Sequence, residues 1–157
     1  EVLSSALAAL AASRVPALKE HVTRALGEGR PLLVGSAYRA PVLAMAALPR
    51  TAVITGDVKA SERQDIVDRF QRGELDCVAG TFDSMGMGLT LTRASRVVLA
   101  DEDYTPAVTE QFIGRAHRFG QEQDLLVETL ISDHPLELRR RQITARKLRL
   151  IDRVVGA

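Results

Sequence analysis

The chain has 157 residues, enough for one domain with a proper core. Hydrophobic residues make up 46% and charged residues 26%, and the formal net charge of +1 excludes a global electrostatic field, so any basic surface for nucleic acid must be local. The single cysteine, Cys77, excludes an internal disulfide, and the longest near-apolar stretch, residues 2–12, carries two serines and is too short to span a bilayer.

In chain order, leading helices are expected over about 3–12 and 16–26. Five β-rich runs then recur, at 31–35, 51–55, 76–80, 96–101 and 125–131. Most are continuous apolar runs, as expected of strands buried on both faces. Helical patterns fill 39–48, 61–72 and 106–119 between them. Ser61-Glu62-Arg63-Gln64 has the form of a capping box, with Ser61 as the cap and Gln64 reaching back. Thr105-Pro106 reads as a cap followed by proline at the first helical position. A long helix closes the chain over about 136–154. Strand-helix alternation of this kind predicts an α/β fold with a mainly parallel sheet flanked by helices on both faces. The organisation is a single lobe over 1–157, with leading helices in 1–28 and a closing helix in 135–155. Glu1 in place of methionine reads as the start of a fragment, one expected to be monomeric.

In parallel sheets, binding residues gather where strands end. Three loops therefore stand out. Gly35-Ser36-Ala37-Tyr38-Arg39 follows the first strand, and residues 80–88, containing Thr81, Ser84, Gly86 and Gly88, follow the third. Such glycines either let backbone amides approach an anion or serve a turn that needs positive φ. Asp101, Glu102 and Asp103 follow the fourth strand, where they orient arginines, face solvent or hold a cation.

The helix after that acidic loop carries Gln111, Arg115 and Arg118 at i, i+4 and i+7, within an arc of roughly 60° on an ideal helix. Two guanidinium forks aimed the same way suit a phosphate chain, although the same face would also serve as a solvated surface. His117 lies off that arc. His21, His117, His134 and Cys77 lack zinc-ligand spacing, so no metal site is expected. The closing helix carries Arg139, Arg140, Arg141, Arg146, Lys147, Arg149 and Arg153 against Glu137 and Asp152. Its options are a solvated face, an acidic partner or nucleic-acid phosphates.

Read together, these segments resemble the second, C-terminal RecA-like lobe of superfamily-two helicases, and more narrowly the SWI/SNF family of double-stranded DNA translocases. The family's last motif, Q-x-x-x-R-x-x-R-x-G-Q, is matched by Gln111, Arg115, Arg118, Gly120 and Gln121. Thr55-Gly56, Ser61-Glu62-Arg63-Gln64 and Phe70 resemble the segment after its second strand. Gly86-Met87-Gly88-Leu89-Thr90-Leu91 resembles its G-x-G-x-N-L motif, and Asp103-Tyr104-Thr105-Pro106 its D-W-N-P turn. Residues 136–156 resemble its closing helix. The sequence departs from the family at Met85, Thr90, Tyr104, Thr105 and Gly114, where glycine, asparagine, tryptophan, asparagine and aspartate are usual.

The resemblance implies a RecA-like (P-loop NTPase-like) sheet and half of an ATP site. Arg118 resembles the family's arginine finger, with Arg115 as its companion, and Gln111 and Gly86 also belong to the nucleotide side. Arg115 and Arg118 are then expected at an exposed cleft edge. Ser36, Arg39, Thr81, Gly86 and Gly88 resemble the positions that grip DNA phosphates. The implied partners are the first RecA-like lobe of the same polypeptide and double-stranded DNA, with no membrane. The implied cofactors are ATP and Mg2+, the metal held by the first lobe. The chain contains no G-x-x-x-x-G-K-[ST] and no D-E-x-H box, so alone it is expected not to hydrolyse ATP. An RNA or single-strand helicase lobe and a stand-alone RecA-like module remain the alternatives. The expected location is intracellular, with the nucleoid or nucleus depending on the organism.

Overall fold

The computed structural model describes residues 1–85, 88–103, 105–117 and 123–155, with side chains described through residue 146. Helices α1 (Val2–Ser13) and α2 (Val15–Gly27) precede the first strand. Strand β1 (Leu32–Ser36), helix α3 (Arg39–Ala44) and a short 3₁₀ turn (Met45–Ala47) lead to β2 (Thr51–Ile54). Helix α4 (Ala60–Gln71), strands β3 (Cys77–Thr81) and β4 (Arg96–Leu99), helix α5 (Pro106–Ile113) and strand β5 (Leu126–Thr129) follow. Helix α6 (Pro135–Val155) ends the fold.

The five strands form one sheet in the order β2-β3-β1-β4-β5, and every neighbouring pair is parallel. Alternating side chains of β1 to β4 supply two separate cores. Leu33, Val78, Val97 and Leu99 pack on one face with Val67 and Phe70 of α4 and Phe112 of α5. Leu32, Val34, Cys77, Ala79 and Val98 pack on the other with Leu18, Val22 and Ala25 of α2, Val42 and Met45. This two-sided burial is why the strands read as unbroken apolar runs. The Cys77 thiol is buried in the second core, and burial pushes its pKa up to about 12.

Several element ends differ from the sequence reading. Helix α4 starts with Lys59 as its cap rather than Ser61, and the Lys59 amide donates to Glu62 (Oε2, 3.4 Å). Gln64, expected in the box, instead donates to Asp68 (2.8 Å) one turn on. β5 is shorter than expected, with Leu126 and Val127 exposed, as befits an edge strand with one neighbour. Helix α5 stops at Ile113 rather than near residue 119. Among the described residues, no single helix is long and apolar enough to cross a membrane.

Candidate functional site

The parallel sheet brings the ends of β1 to β4 to one edge, with Ser36 in register with Thr81, Ile54 with Gly80, and Gly35 with Leu99. Adjacent strands β1 and β4 send their connections to opposite faces, α3 into one core and α5 into the other. That makes the crevice between them the switch point where ligands of open α/β sheets settle.

Each loop at this edge is tied to its neighbour. Arg39, the first residue of α3, is exposed and pairs with Asp57 (2.5 Å), joining the loop after β1 to the loop after β2. The Arg39 guanidinium holds the Asp57 carboxyl below its usual pKa. Arg63 then reaches from α4 to three carbonyls, those of Val58 (2.9 Å), Ser84 (3.2 Å) and Thr55 (3.4 Å). It clamps the loops after β2 and β3 together. The sequence placed Arg63 only inside a cap motif; an arginine in a first helical turn carries no signal that it will bond backbone across the sheet edge.

Thr81 ends β3 and is half-buried, its hydroxyl donating to Ser84 (2.7 Å), which donates to the Ile54 carbonyl (2.7 Å). Gly88 is exposed at φ +72° with open space where a Cβ would stand, so both sequence readings of this glycine, a required positive φ and room for close approach, apply to it. Gly86 lies outside the described residues.

Ser36 is wholly buried, which removes it as a surface phosphate contact. Its hydroxyl donates to Asp101 and accepts the Tyr38 amide (3.0 Å), while Asp101 also accepts the Ala37 amide (2.7 Å). Asp101 is thus not solvent-facing. It is 2% exposed, and burial raises its pKa against the opposing pull of Ser36, the Ala37 amide, Arg140 and Arg14. Glu102 pairs with Arg141 of α6 (3.7 Å), and Asp103 accepts the Thr105 amide (2.8 Å).

Gln111 is exposed on α5, as expected. Arg115 is not: it is 6% exposed, correcting the expectation of an open cleft edge. Arg115 lies beyond the end of the helix that carries Gln111, in a turn over residues 114–116 where its amide bonds the Phe112 carbonyl (3.0 Å) and the Ala116 amide bonds the Ile113 carbonyl (3.1 Å). The Arg115 carbonyl then accepts the Leu91 amide (2.9 Å), fastening the chain that follows Gly88 to the end of α5. Arg118, Gly120 and Gln121 lie outside the described residues. His117 is exposed.

Residues 19–120 match the family of the helicase conserved C-terminal domain. DNA repair protein RAD5 of Kluyveromyces lactis is 36% identical over 116 residues, 69% of this chain and 10% of that protein. Helicase SWR1 of Gibberella zeae is 33% identical over 103 residues, 65% of this chain and 6% of its own length. The human chromatin-remodeling ATPase INO80 is 37% identical over 87 residues, 55% of this chain and 6% of that protein. The chain therefore spans a tenth or less of these relatives. Among solved structures, the C-terminal part of the Fun30 ATPase domain superposes with a TM-score of 0.73 at 22% identity, covering 82% of this chain and 44% of that one. That likeness gives the RecA-like fold.

Proposed function

The chain belongs to the helicase conserved C-terminal domain family, as a RecA-like lobe of the SWI/SNF kind, and we propose that it is the second motor lobe of an ATP-dependent double-stranded DNA translocase. The observation that carries this reading is the shared sheet edge, where the loops after β1 and β3 and the start of α5 stand side by side around the switch point. Arg39 and Thr81 of those loops, with Gly88, and with Gly86 by resemblance, grip the phosphates of one DNA strand. Such contacts are sequence-independent and set position, not sequence preference. Ser36 supports this surface from beneath, through Asp101.

On the nucleotide side, Gln111 lines the cleft and Arg118 supplies the finger on the γ-phosphate. Arg115, which is buried with its carbonyl bonded to the Leu91 amide, serves as the finger's companion by fixing the turn after α5. ATP bound between the lobes would supply the phosphoryl transfer whose developing charge Arg118 neutralises. Among the described residues no three His, Cys, Asp or Glu side chains form a metal-binding group, and in this reading Mg2+ rests on the first lobe. Opening and closing of the cleft moves this lobe along duplex DNA relative to the first.

Arg39→Ala in the full-length protein tests the grip. The Arg39–Asp57 pair is exposed, so its loss leaves folding nearly unchanged. Duplex affinity falls uniformly across sequences, and the slope of log affinity against log salt shrinks by about 1. Unchanged affinity with an unchanged slope removes Arg39 from the contact set.

A further inference from the structure

One cluster of charge is absorbed by neither the grip nor the finger. Arg14 sits at the junction of α1 and α2, and its guanidinium meets Glu137 in the first turn of α6 at 2.5 and 3.2 Å. Glu137 is 7% exposed and also accepts the Ser132 amide (3.2 Å). One turn on, Arg140 is 5% exposed. Arg14, Glu137 and Arg140 line a small cavity together with Asp101 from the end of β4, and both arginines act on the Asp101 charge. Glu102 and Arg141 pair at its rim. Asp101 in turn holds Ser36 and the Ala37 amide, three and two residues before Arg39.

Buried charges are costly unless paired, and breaking one member of such a set leaves the others uncompensated. This set spans four segments distant in sequence: residue 14, residues 36–37, residue 101, and residues 137–140. With α6 seated, Arg14 and Arg140 face Asp101 and favour its charged form, the form that accepts two hydrogen bonds from the loop after β1. With α6 displaced, Glu137 leaves Arg14 and Arg140 leaves Asp101, so the carboxylate keeps only Arg14, itself now unpaired from Glu137, as countercharge.

We propose that Asp101 is a positioning residue for the loop of residues 36–39, and that the buried Arg14–Glu137–Arg140–Asp101 cluster couples this loop to the seating of α6. The closing helix is then a control element: whatever holds it down stiffens the loop that presents Arg39, and whatever lifts it slackens that loop. The consequence for DNA rests on the reading of Arg39 as a phosphate contact; the coupling itself does not.

Amide hydrogen exchange on the full-length protein tests the coupling without reference to DNA. Glu137→Ala, and the milder Glu137→Gln, accelerate exchange at Ala37 and Tyr38 by about tenfold or more, as a local opening does. Leu138→Ala, at an exposed neighbouring position on α6, leaves those amides unchanged. Asp101→Asn gives the same acceleration at Ala37 and Tyr38, and adding Glu137→Gln to it gives no more, because one path carries both effects. Unchanged exchange at Ala37 and Tyr38 in Glu137→Gln overturns the proposal. So does additive acceleration in the double variant. Duplex affinity is the second arm. Glu137→Gln weakens it in the wild-type background but not in Arg39→Ala. If exchange accelerates while neither Glu137→Gln nor Arg39→Ala alters affinity, the coupling stands and the phosphate role of Arg39 falls.

Discussion

Replacing Arg118 with alanine in the full-length protein lowers DNA-stimulated ATP turnover by about 10³–10⁵-fold while nucleotide affinity stays largely intact. The reasoning is electrostatic. In phosphoryl transfer the γ-phosphoryl oxygens spread charge as the bond to the leaving group loosens, and a guanidinium placed there stabilises the transition state more than the ground state. The loss therefore falls on turnover, not on binding. Arg118→Lys rescues little, because a point charge does not replace a planar fork that meets two oxygens at once. Single-turnover rates and nucleotide Kd, measured separately, check it. Near-normal turnover in Arg118→Ala sinks the finger assignment. The placement of Arg115 sharpens the contrast: Arg115 is 6% exposed, so its replacement disturbs local packing as well as charge.

The second large effect is on stability. Phe112→Ala costs about 3–5 kcal/mol, read as a lowered denaturation midpoint with an unchanged denaturant slope. Phe112 is 2% exposed and meets Phe82 edge to face, with centroids 5.3 Å apart and planes at 69°. Both rings lie against Gly35, where an added Cβ would stand 2.7 Å from ring atoms of each. The glycine is thus required for close approach at the end of β1. Phe112 joins the end of β1, the loop after β3 and helix α5, the three parts that bound the switch point. Removing its ring opens a cavity that rigid strand backbone cannot close. A loss under 1 kcal/mol contradicts this account of how the site edge is built.

The sheet was legible in the sequence because burial on both faces leaves a mark in composition: Leu32–Val34, Cys77–Ala79 and Val97–Leu99 have no polar alternation to misread. The helix carrying the last motif was legible in its start, at Thr105-Pro106, and not in its end. The period of Gln111, Arg115 and Arg118 runs on past Gly114, but the helix ends at Ile113, and the Arg115 carbonyl instead accepts the Leu91 amide. Sequence periodicity holds no term for a bond made to a residue twenty-four positions earlier. Ser36 and Asp101 show the same gap. A serine after a strand and an acidic run both look like surface chemistry, yet they bond each other across the β1–β4 boundary. Arg63, Arg14 and Glu137 became visible only once loops and helix ends had positions in space.

In the proposed reading this lobe completes an ATP site that it does not hold alone. The direct test is ATP turnover by this chain and by the longer natural polypeptide that contains it, each with duplex DNA and with RNA. The chain alone shows no turnover above background, and turnover by the longer polypeptide is stimulated more by duplex DNA than by RNA. Hydrolysis by the chain alone, or stimulation of the longer polypeptide by RNA and not by duplex DNA, contradicts it.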